Sequence, residues 1–146
     1  MARGDVTVFE EAKAKMLEGD WASTDQFWIA ICDDTATPTA AFATPVLGDF
    51  TEVTAAGTYD AGGLNLGTLA ALVTEAAGVM TFKSLEAAPT WAQDVANDVD
   101  AYWGIIYNYT DAGKDAVAFV DLGGPVDMTA GDLTITWNAS GIFTIT

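Results

Sequence analysis

A chain of 146 residues, 51% hydrophobic and 11% aromatic, is too apolar to stay disordered and long enough to bury about 70% of its unfolded surface in one domain. Acidic residues outnumber basic ones 21 to 5, giving a net charge of −16, which argues against nucleic-acid binding, a process that runs on Lys and Arg. Histidine is absent, so Ser-His-Asp and Cys-His catalysis are excluded and the commonest zinc ligand is missing.

Arg3, Lys13 and Lys15 offset Asp5, Glu10 and Glu11, so the first fifteen residues are neutral and the remainder carries the excess. Residues 1–7 read as an N-terminal arm. Their composition is unlike a signal peptide, and no apolar run reaches the roughly 20 residues of a membrane span; no membrane partner is expected, and the chain is expected to be made and kept, or packaged, in a cytoplasm. The stretch "TVFEEAKAKMLEG" predicts a helix over 8–18. Thr7 and Glu10 have capping-box spacing, Glu11 suits the first turn, Lys13 and Lys15 suit the end, and Gly19 fits a left-handed stop. Phe9, Ala12 and Met16 share one face, which must lie on something apolar.

Beyond the helix the period drops to two. Predicted strands are 25–32, a weaker 49–55, 64–74, 78–85, 100–109, 116–122, 132–138 and 142–146, separated by Gly, Asp, Asn, Pro and Ser clusters. "TDAGKD" and "NASG" are short Gly-bearing connections of the hairpin kind. About eight antiparallel strands in one domain, 1–146, predict an all-β sandwich, jelly-roll-like, with one short helix. Cys32, the single cysteine, lies in the apolar run "FWIAIC" and reads as a small buried hydrophobe. Strand 100–109 is apolar on both faces: Trp103, Ile105 and Tyr107 alternate with Tyr102 and Ile106. It is therefore expected at the centre of its sheet, with the second sheet on one side and either the helix stripe or another subunit on the other.

Residues 33–48, "DDTATPTAAFATPVLG", lack periodicity and form a long loop. Its apolar residues, Phe42, Val46 and Leu47 among them, either contact a partner or fold back on their own domain. The stretch 87–99 carries Trp91 in a polar turn before the central strand.

Tests for chemistry are mostly negative. "AGGLNLG" lacks the Lys and following helix of a phosphate loop. A carboxylate pair of the glycosidase kind needs a separation that linear spacing does not report. Asn97, Asp98 and Asp100 could offer oxygens to calcium, but without an EF-hand loop they read as a solvated turn. No catalytic residue, metal site or cofactor is assigned. Tyr59, Trp91 and Tyr109 are candidate stacking platforms for sugar, weighed against the commoner role of alternating aromatics as core.

The order of landmarks carries a resemblance. "VFEEAKAKMLEGD" leads into an apolar strand, followed by "TYDAGG" at 58–63, "TW" at 90–91, "YWGIIYNYTDAG" at 102–113, "AFVDLG" and the closing "GDLTITWNASGIFTIT". Across nearly the whole chain this resembles small β-sandwich structural proteins of tailed bacteriophage virions. The resemblance implies a non-enzymatic capsid decoration or cement protein on the outer surface of the head, made in the bacterial cytoplasm. Its partners would be the major capsid protein and further copies of itself, as a dimer or trimer. Arg3, Phe42, Val46, Leu47 and Phe50 are the candidate contact residues. The alternative is a fibre or spike component that binds host-surface carbohydrate through Tyr59, Trp91 and Tyr109.

Overall fold

The structure is a computed structural model describing residues 1–145. In chain order its elements are β1 (Val6–Val8), α1 (Glu10–Glu18), β2 (Gln26–Cys32), β3 (Leu64–Thr68), α2 (Leu69–Leu72), β4 (Val73–Ala76) and β5 (Val79–Phe82), then β6 (Thr90–Trp91), β7 (Ala101–Asn108), β8 (Ala116–Val126), β9 (Leu133–Thr134) and β10 (Phe143–Ile145). Every strand pairing is antiparallel. The strands form a five-stranded sheet ordered β1-β8-β7-β2-β3, a three-stranded sheet ordered β10-β5-β4 and the pair β6-β9. The fold is all-β, antiparallel and sandwich-like, with α1 as the one substantial helix among the described residues.

β7 is the middle strand of the five, and its two faces are dry for different reasons. On one face Gly104 pairs with Ile31 and Val120, and Ile106 with Ile29 and Ala118. The smaller sheets cover this side: the space above Gly104 is filled by Ile29 and Ile135, and Phe27 meets Phe82 edge-on at 5.7 Å. On the other face Ile105 pairs with Ala30 and Phe119. Here the rings form a ladder: Trp103 to Phe119 at 6.1 Å, Phe119 to Phe9 at 5.1 Å, Phe9 to Phe50 at 6.0 Å and Phe50 to Phe42 at 5.4 Å. The lid of the central strand is therefore the residue capping α1 and the loop of 33–50, both from the same chain. Cys32 is buried beneath this lid as expected, and burial raises its thiol pKa well above the ordinary value.

Several boundaries differ from those expected. The arm of 1–7 is not free throughout, because Val6–Val8 adds an edge strand to β8 with Thr7 opposite Phe119. That pairing moves the helix start to Glu10, with Phe9 as its cap and no side-chain capping bond; Thr7 is spent on the strand. Gly19 does end the helix in the left-handed region at φ 76°, donating its N–H to the Lys15 carbonyl at 3.1 Å. Residues 49–55 make no strand. Their contact with β2 is one bridge, Cys32 to Glu52, flanked by bonds from Asp33 N–H to Thr51 and from Val53 N–H to Ile31.

The expected strand 64–74 is interrupted by α2, whose first N–H groups, of Leu69 and Ala70, bond the carbonyls of Asp25 and Ser23 in the loop before β2. The 132–138 strand shrinks to two residues beside β6. Ile135 N–H still reaches the Pro89 carbonyl at 3.1 Å and Trp137 N–H the Ala87 carbonyl at 3.5 Å, but Pro89 has no N–H to return, so beyond Thr134 the pairing is one-sided at that residue. "NASG" makes a tight turn, Gly141 N–H to Asn138 at 2.9 Å, yet it is a corner and not a hairpin: β9 joins β6 while β10 joins β5.

Candidate docking surface

The residues nominated from sequence fall in different places. Phe50 is buried, Phe42 and Leu47 are half-buried against the core, and Val46 is half-buried. Val46 bridges to Asp115, and Leu47 N–H bonds the Lys114 carbonyl at 2.9 Å. The 33–48 loop folds back on its own domain, with Phe42 and Leu47 packed against the core and Phe42 at the outer end of the lid over β7. Arg3 alone of the five is exposed, its stem lying along Gly123 and lining a cavity of about 300 Å³ between the β1-β8 edge and the segment 133–142.

Each of the three nominated aromatic rings is already packed against other groups of the same chain. Tyr59 and Trp91 are each 2% exposed and pack on one another at 6.1 Å. The Tyr59 hydroxyl donates to Glu52 Oε1 at 2.6 Å and accepts the Ile31 N–H at 3.0 Å; burial, then this carboxylate, raises its pKa above the ordinary range. Tyr109 is 40% exposed, but Trp28 stacks on it at 4.3 Å and the Lys114 ammonium sits 4.1 Å from its ring centre. Both groups pack on the ring and would compete with a sugar for it.

The polar turn at Asn97 and Asp98 is structural. The Asn97 amide donates to Thr58, Ala92 and Met128, and Asp98 accepts N–H bonds from Thr54, Val99 and Asp100. The Thr54 bond chiefly holds the Asp98 carboxyl below its usual pKa. Among the described residues no three His, Cys, Asp or Glu side chains gather as metal ligands. A polar recess beside α1 contains Asp20, Asp25, Asp111 and Asp115, of which Asp115 pairs with Lys15 at 2.5 Å and Asp25 accepts from the Asn108 amide at 2.8 Å.

A different surface has the character of a docking site. Register places Val73, Phe82 and Phe143 side by side on one face of the β10-β5-β4 sheet, and Glu75, Met80 and Ile145 side by side two residues further along the same face. The first row is anchored: Phe82 is buried and stacks on Phe143 at 4.8 Å. The second row overhangs, leaving Met80 42% and Ile145 38% exposed. Met16 of α1, Trp21, and Leu69 and Ala70 of α2 form the facing wall, enclosing a mostly apolar open groove of about 420 Å³. A contiguous apolar strip on so acidic a chain is unusual, whereas isolated exposed residues such as Leu17 and Val95 are ordinary. Sequence reading missed this groove because the alternation of Met80 with Phe82 is the same whether a strand ends under cover or beyond it. The helix stripe did hold part of the signal: Phe9 and Ala12 are buried, but Met16 turns to the groove.

No protein-family model matches the chain, and no curated protein or solved structure matches it either.

Proposed function

We propose that this chain is a non-enzymatic structural protein that works by docking on other proteins, and that its place is the outer surface of a tailed-phage capsid, as a decoration or cement protein. The observation that carries the docking reading is the apolar groove left open beside a sheet whose central strand is already covered on both faces by its own chain. A covered centre needs no second subunit for its stability, so the remaining apolar surface is free for a partner. The capsid placement rests on the order of sequence landmarks set out above.

The physics of the role is modest per copy. A cement protein joins neighbouring capsid subunits and resists their separation when packaged DNA presses outward, and many weak contacts act together. Burial of roughly 200 Å² of apolar groove would contribute about 5 kcal/mol gross before association costs. That is enough for one arm of a multivalent contact and too little for a tight isolated pair.

The test is cosedimentation of the purified protein with capsids from which it has been removed. Saturation at a fixed number of copies per capsid, with greater resistance of the particles to heat, is the expected result. Absence of saturable binding would overturn the capsid placement.

A further inference from the structure

We infer that the outer edge of β1 accepts an extended segment of another protein as a sixth strand, one apolar side chain of which enters the cavity beside Val6. This edge and the groove share no residue, and a protein that joins neighbouring subunits needs two such surfaces. Neither the groove nor the capsid placement is required for it.

β1 ends its sheet, and its odd-numbered residues bond inward. Asp121 donates its N–H to the Asp5 carbonyl at 3.2 Å and Phe9 donates to Val117 at 3.0 Å, which makes Thr7 and Phe119 a bonded pair between them. The peptide groups of Val6 and Val8 therefore point away from β8, and among the described residues no hydrogen bond reaches them on that side. The run Val-Thr-Val has none of the lysines, prolines or bulges that protect many edges. Its open length ends at Glu10, whose N–H is taken by the Ala40 carbonyl at 2.9 Å. At the opposite edge of the sheet the chain covers itself, since the Leu66 carbonyl of β3 accepts the Leu85 N–H at 3.0 Å.

The cavity sets the side chain. Residues directly opposite in an antiparallel ladder share a face, so the residue of an added strand that pairs with Val6 projects to the side where Val6, Val120, Leu122, Leu133, Ile135 and Ile142 line an open cavity of about 300 Å³. Arg3, Asp5 and Asp121 stand there too. Asp5 and Asp121 accept N–H bonds from Ala2 and Gly123 at 2.8 and 2.7 Å, and one cation among two carboxylates selects no single charge. An uncharged apolar side chain is the match. Charge argues against a second copy as the added strand: twofold pairing of Val6 with the other copy's Val8 sets Asp5 of each copy opposite Phe9 of the other, next to Glu10. Like charges so placed are destabilising.

NMR titration of the full chain with the capped peptide Ser-Thr-Val-Thr-Leu-Thr-Ser tests this. Saturable binding with a Kd of about 1 mM or tighter is expected. At saturation, amide exchange at Val6 and Val8 should slow about tenfold, while that of Thr7, already bonded to β8, changes little. Methylating the leucine nitrogen removes the N–H offered to Val6 and should weaken the peptide about tenfold, as should replacing the leucine by serine. Methylating either neighbouring threonine nitrogen, which points to solvent, should leave affinity unchanged. In the protein, Val8→Pro removes one outward N–H and no bond to β8, so it should weaken the peptide while circular dichroism shows the fold retained.

Absence of saturable binding, equal affinity of the peptide methylated at leucine, or protection that bypasses Val6 and Val8 would overturn the inference. So would a dimer of the free protein, detected by sedimentation, in which these two amides are already protected, since a second copy would then hold the edge. If the wild-type protein binds the peptide as described but binds no capsid, the edge assignment is supported and the capsid placement alone falls.

Discussion

Ile105 and Phe119 stand directly opposite each other on β7 and β8, and the Phe119 ring reaches across to Phe9, 5.1 Å away, at the start of α1. The middle strand is thereby roofed by residues that precede it by nearly a hundred positions. Such a roof makes the loop of 33–50 part of the core at its inner end and progressively less so outward.

A gradient of stability along the aromatic ladder is therefore expected. Phe119→Ala should cost about 3–5 kcal/mol, as for a fully buried aromatic, whereas Phe42→Ala, at the half-exposed end, should cost about 1 kcal/mol. Urea unfolding monitored by tryptophan fluorescence measures both. Equal costs would mean that the loop is either wholly core or wholly detached.

Two glycines with similar backbones separate strain from collision. Gly63 has φ 78°, and a Cβ there would lie 1.9 Å from the Ile29 carbonyl oxygen; Gly78 has φ 80° with nothing within 4 Å. Gly78→Ala should cost about 1 kcal/mol, the left-handed penalty alone, and Gly63→Ala about 4 kcal/mol or more. Thermal unfolding of both variants decides it, and comparable losses would contradict the close approach of 60–63 to β2.

Alkaline pH should destabilise the fold. Cys32, Tyr59 and Tyr107 all have raised pKa values, chiefly from burial, so the folded chain holds protons that the unfolded chain releases near the ordinary values of 9.0 for the thiol and 10.0 for the phenols. Their contribution is complete below those values and is lost as pH rises above them. Denaturant midpoints should be insensitive to these groups up to about pH 8.5 and fall beyond it. Tyr59→Phe should flatten the alkaline fall while lowering neutral stability through the lost Ile31 and Glu52 bonds. A midpoint that holds steady to pH 11 would contradict the burial of all three groups.

Salt should stabilise the isolated protein. With a net charge of −16, self-repulsion opposes compaction, and raising ionic strength from about 0.01 M to about 0.15 M shortens the screening length from roughly 30 Å to 8 Å. The melting temperature should rise by a few degrees across that range. A fall would mean that attractive pairs, of which Lys15–Asp115 is one, outweigh the repulsion.

Glycan binding should be absent at the nominated rings. An array probed with the labelled protein should give no signal that Tyr109→Ala removes, because Trp28 and Lys114 already occupy that ring. A saturable signal lost in that variant would revive the fibre reading.

How much of this was legible beforehand varies with the range of the interaction. The centrality of β7 was readable because a strand apolar on both faces has few other places to lie. The turn glycines and the α1 stop were readable because they are local. The start of α1 was not, since Thr7 could cap a helix or join an edge strand, and the outcome depends on β8, more than a hundred residues away. The same holds for Phe50, a candidate contact residue in a weak predicted strand until Phe9 is placed beside it. Tyr59 and Trp91 read as core or platform in a linear pattern, core being the commoner role; only packing separates them. The groove was hidden for a related reason, since overhang is a relation between strand ends in three dimensions.

Imaging of virions of the phage proposed to encode this chain, at a resolution that places side chains, tests the account most directly. The expected map has the protein on the outer head surface with Met80 and Ile145 against a capsid subunit. A virion lacking the chain, or one in which that strip faces open solvent, would contradict it.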